Sequence, residues 1–392
     1  MSTTERAAIG GAVAPLDTRG PAAGSGAGAF AEAARQLTVC NACRYCEGYC
    51  AVYPALELRR ALSRGDVTYL ANLCHDCRAC YYACMYAPPH EFGINIPQAL
   101  AEVRHAGYQR HARPRAGAGL FAAMPEALAA GAVAAVVVGL ALWLVGPARM
   151  LTAQRGAGAF YRIVPYWAIV IPGLALCCYW LGVWAAGARV FWRDIEMRGR
   201  APSAGAAMGA AWDVLVLRWL RGGGPGCPYP DEHPSRTRAL LHSLVFYGFL
   251  AATASTTIAA IDQDLLGRLP PYALTSAPVI LGTAGGVAMI LGTVGMLIAK
   301  GRSDRQPASG AMTGMEFVFV LTLGLASLTG LLTLALRSTG VLGPALVIHL
   351  AIVAALFVTA PYGKFVHAIY RYLALVRRRM EQDGDGRPAA EL

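Results

Sequence analysis

Cys40, Cys43, Cys46 and Cys50 follow the spacing C-x₂-C-x₂-C-x₃-C, and 34 residues further on Cys74, Cys77, Cys80 and Cys84 repeat it. Thiols at this density can pair as disulfides, bind zinc or hold an iron–sulfur cube. Disulfides fail on compartment, because the basic residues described below place this segment in the cytoplasm, where thiols stay reduced. Zinc sites use two separated C-x₂-C or histidine pairs, and a three-residue fourth gap repeated twice fits them poorly. Two-residue gaps wrap the backbone tightly enough for three thiolates to reach three corners of a cubane, while the fourth cysteine points away. The spacing reads as two [4Fe-4S] clusters.

In two-cluster ferredoxins the fourth cysteine ligates the other cluster. By that rule one cluster takes Cys40, Cys43, Cys46 and Cys84, and the second takes Cys74, Cys77, Cys80 and Cys50. Proline usually follows the fourth cysteine directly; here Pro54 and Pro88 come four positions later, which leaves the ligands untouched and changes the turn. Apolar residues at Leu56, Leu58, Leu62, Val67, Leu70 and Leu73 predict a connecting helix broken at Gly65-Asp66. A second helix is expected after Cys84, with Arg104, Arg110, Arg113 and Arg115 mostly on a solvated face. His75 reads as a spacer able to tune the cluster by hydrogen bonding.

These sites need elements to position them. With 56% hydrophobic and 15% charged residues, the 392-residue chain reads as a membrane protein. Charge-free runs at 121–146, 164–188, 239–261, 278–299, 316–336 and 344–362 are each long enough for a bilayer core of about 30 Å. The expected organisation is a disordered leader (1–30) without an export signal, a two-[4Fe-4S] domain (31–115), a six-span haem-binding domain (116–380) and a tail (381–392). The fold class is all-α: a six-helix transmembrane bundle with an N-terminal α-helical, ferredoxin-like cluster domain. With the N-terminus inside, 17 Arg and Lys fall on the inner flanks and five on the outer ones, which predicts a bacterial inner-membrane protein with its cluster domain and both termini cytoplasmic. The net charge of +11 is thus mainly a topology signal; no exposed basic and aromatic patch points to nucleic acid.

Three histidines stand in or at the ends of the spans. His242 opens the third span and His367 closes the last, which predicts equal membrane depth, and an axial pair on facing helices holds a b-type haem. His349 and His367, 18 residues apart, are expected on one face of a continuous helix. A second haem at His349 would want a partner near Ala252, so one haem is the safer count. No phosphate loop, Ser/His/Asp set or dinucleotide fingerprint is present in a fitting context, so flavin is expected on a partner. Lys364 and Tyr362 are candidates for contacting quinone. Cys177 and Cys178 read as packing residues, and Cys227 as a free loop thiol or a contact to cluster, haem or partner. The segment with Trp212, Asp213, Trp219 and Arg221 reads as interfacial, the glycines at 282, 286, 292 and 295 as helix-packing positions, and His90, His105, His111 and His233 as exposed.

The stretch "APYGKFVH" (360–367) resembles the Pro-x-x-Lys-x-x-His end of the haem helix in the nitrate reductase gamma-subunit family. From about Leu37 to Arg379, the order of "VCNACRYCEGYCAVYPALE", "ANLCHDCRACYYACMYAPPHEFGINIP", "GGGPGCPYPDEHPSRTRALLHSLVFYGFL" and "PYGKFVHAIYR" is similar to the tricarballylate utilisation protein B family, citrate-utilisation membrane iron–sulfur and haem proteins. That resemblance implies an electron-transfer subunit with quinone-reducing activity and no dehydrogenase site of its own. It would take electrons from the reduced FAD of a partner dehydrogenase, tricarballylate dehydrogenase by resemblance, and pass them through two [4Fe-4S] clusters and b-type haem to the quinone pool. The competing reading is a membrane-anchored iron–sulfur redox sensor or a regulated transporter, against which stands the lack of paired broken helices.

Overall fold

The computed structural model describes residues 26–115, 117, 126–221 and 226–384. Most of the expected leader and tail, and the first residues of the first expected span, lie outside the described residues. Five helices form the cysteine-bearing part: α1 (Gly26–Cys43), α2 (Val52–Glu57), α3 (Arg64–Leu73), α4 (Ala79–Tyr82) and α5 (Ile96–His111). Among the described residues, six helices are long and apolar enough to cross a membrane: α6 (Glu126–Val145), α7 (Tyr166–Asp194), α9 (Thr237–Asp264), α10 (Ala277–Arg302), α11 (Gly310–Ala335) and α12 (Leu342–Thr359). The protein is an all-α, multi-pass membrane protein. Between α7 and α9 lie α8 (Ala204–Leu215) and a two-residue antiparallel bridge, Cys227–Pro228 with Pro234–Ser235. The last helix, α13 (His367–Gln382), leaves the bundle for the cluster domain.

Local chemistry explains the helix ends. Ser63 caps α3: its hydroxyl accepts from Asp66 N–H at 3.0 Å, and the Asp66 carboxylate accepts from Ser63 N–H at 3.3 Å. The break expected at Gly65-Asp66 therefore falls earlier, at residues 58–63, with Gly65 and Asp66 inside the first turn of α3. Gly65 is needed for packing, since a Cβ there would sit 2.8 Å from the Asp194 carbonyl at the end of α7. In the bundle, α9 and α10 cross at Gly248 and Gly285, where a Cβ on either would come within 2.8 Å of the other's carbonyl oxygen.

The final span does not run straight through to His367. Helix α12 ends at Thr359, whose carbonyl accepts from the N–H groups of both Tyr362 (2.9 Å) and Gly363 (3.1 Å), and a short 3-10 turn, Lys364–Val366, precedes α13. Pro361 has no N–H to continue the helical ladder. His349 and His367 thus sit on two separate helices rather than on one face of a single one.

One core joins the cluster domain to the membrane part. Leu37, Leu56, Tyr69, Leu70, Leu73 and Leu100 pack in the same buried cluster as Phe191 and Ile195 at the end of α7 and Tyr370, Leu375 and Val376 of α13; each such side chain contributes up to about 1.5–3 kcal/mol. A buried ionic clamp fixes the join. Arg377 of α13 donates to Asp66 (2.9 Å) and Glu381 (2.9 Å), Arg59 donates to both carboxylates, and the Tyr69 hydroxyl donates to Glu381 at 3.0 Å. All four charges are nearly inaccessible to solvent.

Candidate functional site

The first cysteine set is built at the end of α1. Cys40 and Cys43 occupy its last turn, Cys46 and Cys50 follow in the next turns, and α4 delivers Cys84. Burial, followed by the proximity of Cys84, Cys46 and Cys43, pushes the Cys40 thiol up to about 12; burial likewise raises Cys46 to about 11. A cavity of about 20 Å³ opens among Cys40, Cys43, Cys46, Cys84 and Cys80, with Tyr53 and Tyr86 in its wall. The second set forms where α3 ends at Cys74 and α4 carries Cys80. Burial raises Cys50, next to Cys77 and Cys74, and raises Cys80 beside Cys77, Cys74 and Cys50. Cys84 thus lies near Cys40 and Cys46, and Cys50 near Cys74, Cys77 and Cys80, with Cys80 also in the wall of the first cavity and Cys77 near Cys46.

The repeat is one of backbone as well as spacing. Arg44 and Arg78, each directly after the second cysteine of its set, have positive φ values of 57° and 65°, a left-handed kink that turns the next cysteine back toward its predecessors. Among the described residues no three His, Cys, Asp or Glu side chains converge on one ion position. With their thiols raised, Cys40, Cys46, Cys50, Cys77 and Cys80 are protonated when unloaded, and metal binding must release those protons. Asp76 N–H already donates to Cys74 Sγ at 3.4 Å, the kind of bond that tunes an iron–sulfur centre.

Cys227 is a buried residue of the loop bridge rather than a free surface thiol. Its thiol donates to Leu220 O at 3.3 Å and touches Cys77, whose hydrogen bond lowers Cys227 to about 7. Arg78 stacks 5.1 Å over Tyr229, holding this loop on the second set. Of the contacts considered for Cys227, the structure makes the one to a cluster cysteine. Cys177 and Cys178 are exposed on α7.

A cavity of about 390 Å³ lies where the membrane helices meet the cluster domain, within the range of about 300–1,000 Å³ common for cofactor pockets. His242 of α9 and His367 at the start of α13 face each other across it, ring centroids 6.5 Å apart and planes at 90°. Trp180, Trp184, Phe249, Phe319 and Phe365 supply apolar wall. His367 Nδ1 lies 2.6 Å from Lys364 O, which leaves Nε2 for the cavity; His242 Nδ1 has no partner. Burial, with the nearby charges of Lys364 and Arg371, holds His367 well below the ordinary histidine range, so the ring is in its neutral, metal-binding form. These residues fit a bis-histidine haem.

His349 lies outside this cavity, on α12 against α11: its Nδ1 is 3.2 Å from Thr329 Oγ1, and its ring fills the space left by Gly330. Lys364 is ion-paired with Glu316 at 2.7 Å, and Glu316 also takes Lys300 at 2.5 Å. Burial, partly opposed by Glu316, brings the Lys364 ammonium down to about 8. Tyr362 meets Tyr179, hydroxyl to hydroxyl, at 3.2 Å.

The cavity also touches the second cysteine set: His75, Asp76 and Arg78 of the loop between Cys74 and Cys80 lie in its wall. His75 Nδ1 is 2.7 Å from Leu73 O. Several residues expected in solvent are in fact structural. Arg104 is 2% exposed and donates to Ala71 O (2.9 Å) and Cys74 O (3.2 Å). His111 is buried against the Asp194 carboxylate at 2.8 Å. Asp213, expected at an interface, is buried and receives Arg379 at 2.8 Å. Sequence reasoning also passed over Arg238 and Arg371, although each stands one helical turn from a cavity histidine.

Residues 33–110 match the family described as the citrate utilization protein B Fer4-like domain, and residues 120–389 match that described as citrate utilization protein B. The chain belongs to the citrate utilization protein B family. A relative from Escherichia coli, citrate utilization protein B, is 40% identical over 356 residues, covering 90% of this chain and 92% of its own. No solved structure matches. Within this family assignment the Fer4-like match covers both cysteine sets, and the larger match covers both cavity histidines.

Proposed function

We propose that the protein is a membrane electron conduit serving tricarboxylate use, carrying electrons from the reduced FAD of a partner dehydrogenase, through two [4Fe-4S] clusters and a b-type haem, to the quinone pool. By family resemblance the donor is tricarballylate dehydrogenase, and the cluster domain faces the cytoplasm across a bacterial inner membrane. The carrying observation is the shared wall: the Cys74–Cys80 loop and the facing pair His242 and His367 border one cavity. When bound, clusters and haem supply one-electron sites that divide a flavin's electron pair and bring each electron to membrane depth. The chain's own residues do the rest. Cys40, Cys43, Cys46 and Cys84 would hold one cluster, Cys74, Cys77, Cys80 and Cys50 the other, and His242 and His367 the haem. Trp180, Trp184, Phe319 and Phe365 would give the haem an apolar wall beside the histidines, and Lys364 O fixes the His367 ring.

Purified protein should show a reducible b-type haem band, and His242→Ala should abolish its low-spin bis-histidine form while leaving the iron–sulfur absorbance. A His242→Ala variant with an unchanged haem band would refute the axial pair. Failure of reduced flavoprotein to reduce a quinone analogue through cluster-replete protein would refute the conduit.

A further inference from the structure

The cavity has an uneven charge. Arg78, Arg104, Arg238 and Arg371 lie in its wall, with three carboxylates, Asp76, Asp213 and Glu316. Two of the three are already engaged: Asp213 by Arg218 and Arg379, Glu316 by Lys300 and Lys364. Four guanidinium groups are left to face Asp76. Their hydrogen bonds do not neutralise them, because they end on backbone carbonyls. Arg371 donates to Cys74 O (2.6 Å) and Asn72 O (3.4 Å), Arg238 to Asp76 O, Arg104 to Ala71 O and Cys74 O, and Arg78 to Asp304 O (2.9 Å). The Nε groups of Arg78 and Arg104 have no partner, although these side chains are only 4% and 2% exposed. Buried cations without counter-charge are costly, and a site that gathers them is built for an anion.

Position narrows the anion. Arg238 precedes His242 by four residues on α9, and Arg371 follows His367 by four on α13, so each stands one turn from its histidine. Both bond to the Asn72–Asp76 stretch, so both lie on the cluster side of the histidine pair. The space between the histidines is walled by aromatic rings. A ligand that satisfies both regions is flat and apolar over most of its area, with carboxylates along one edge.

We propose that Arg104, Arg238 and Arg371, with Arg78 behind them, form a carboxylate clamp that receives the two propionates of the haem and turns that edge of the porphyrin toward the second cysteine set. The proposal rests on the haem reading above and adds the orientation. It assigns these arginines a role in cofactor binding and in the approach of haem to cluster, through residues that touch both.

The test compares two porphyrins on the full-length, haem-free protein in lipid nanodiscs: iron protoporphyrin IX and its dimethyl ester, titrated by Soret absorbance. Wild type should bind the diacid at least about tenfold more tightly than the ester. Arg238→Gln and Arg371→Gln should each reduce that preference, and the double variant should bring it near unity, while Arg→Lys at either position retains part of it. Equal affinity of wild type for both porphyrins overturns the clamp and leaves the haem reading standing; this comparison needs no variant to fold. An unchanged preference in the double variant, with the cluster's reduction potential moved instead, also overturns it, because the arginines would then serve the anionic cluster. If neither porphyrin gives a bis-histidine spectrum, the haem reading itself fails, and the clamp with it.

Discussion

Around the first cysteine set the protein leaves Tyr45, Met85 and Phe92 exposed, at 58%, 61% and 42% of their surface, and Cys43 itself is open to solvent. Around the second, Cys74 and Cys77 are buried, Cys227 closes over Cys77, and arginines from α5, α9 and α13 converge on the carbonyls of the loop. Two copies of one spacing therefore do different work. The outer set lies beneath a surface with the aromatic and methionine side chains that interfaces favour, and the inner set is joined to the membrane cavity. On the proposed function, this contrast predicts entry at the first set and exit through the second.

The sharpest way to break the comparison is to remove one set at a time. Cys43→Ser and Cys77→Ser should each reduce bound iron from about eight to about four per chain, measured on anaerobically prepared protein. If entry and exit are assigned correctly, Cys43→Ser protein should lose reduction by the flavoprotein donor altogether. Cys77→Ser protein should still take electrons into the remaining cluster and fail to pass them to haem. The opposite pattern would reverse the polarity. Next in size is the join between the two halves. Arg377→Met leaves Asp66 and Glu381 buried with one fewer cation, and should cost about 3–5 kcal/mol in denaturant unfolding of the cluster domain. A loss near zero would mean that the halves are held by apolar packing alone. The smallest effect is expected at the outer surface. Tyr45→Glu and Met85→Glu should slow electron uptake from the flavoprotein about tenfold, through a docking loss of about 1.4 kcal/mol, with iron content and haem spectrum unchanged. Unchanged uptake would move the docking face elsewhere.

Much of this site could be read along the chain, because its signals are local or periodic. Two-residue cysteine gaps, runs of some twenty apolar residues and histidines at matched distances from span ends need no partner to be recognised. The misreadings came where a residue's role depends on a distant neighbour. Arg104 looked like one of four solvated arginines until α5 was packed against the Cys74 turn. His111 looked exposed until Asp194 at the end of α7 came beside it. His349 and His367 shared a face only on a straight helix, and the turn after Thr359 removed that premise.

By itself the amino-acid order determined the Fer4-like cysteine pattern and the six membrane-length helices found among the described residues, since ligand spacing and hydrophobic length act over a few turns of chain. Only the tertiary structure decided that Cys227 touches Cys77 and that arginines from three helices meet at one edge of the histidine cavity. Those contacts link residues up to about 300 positions apart, and what brings them together is the shared burial of α13, α7 and the cluster helices in one core, which no local pattern encodes.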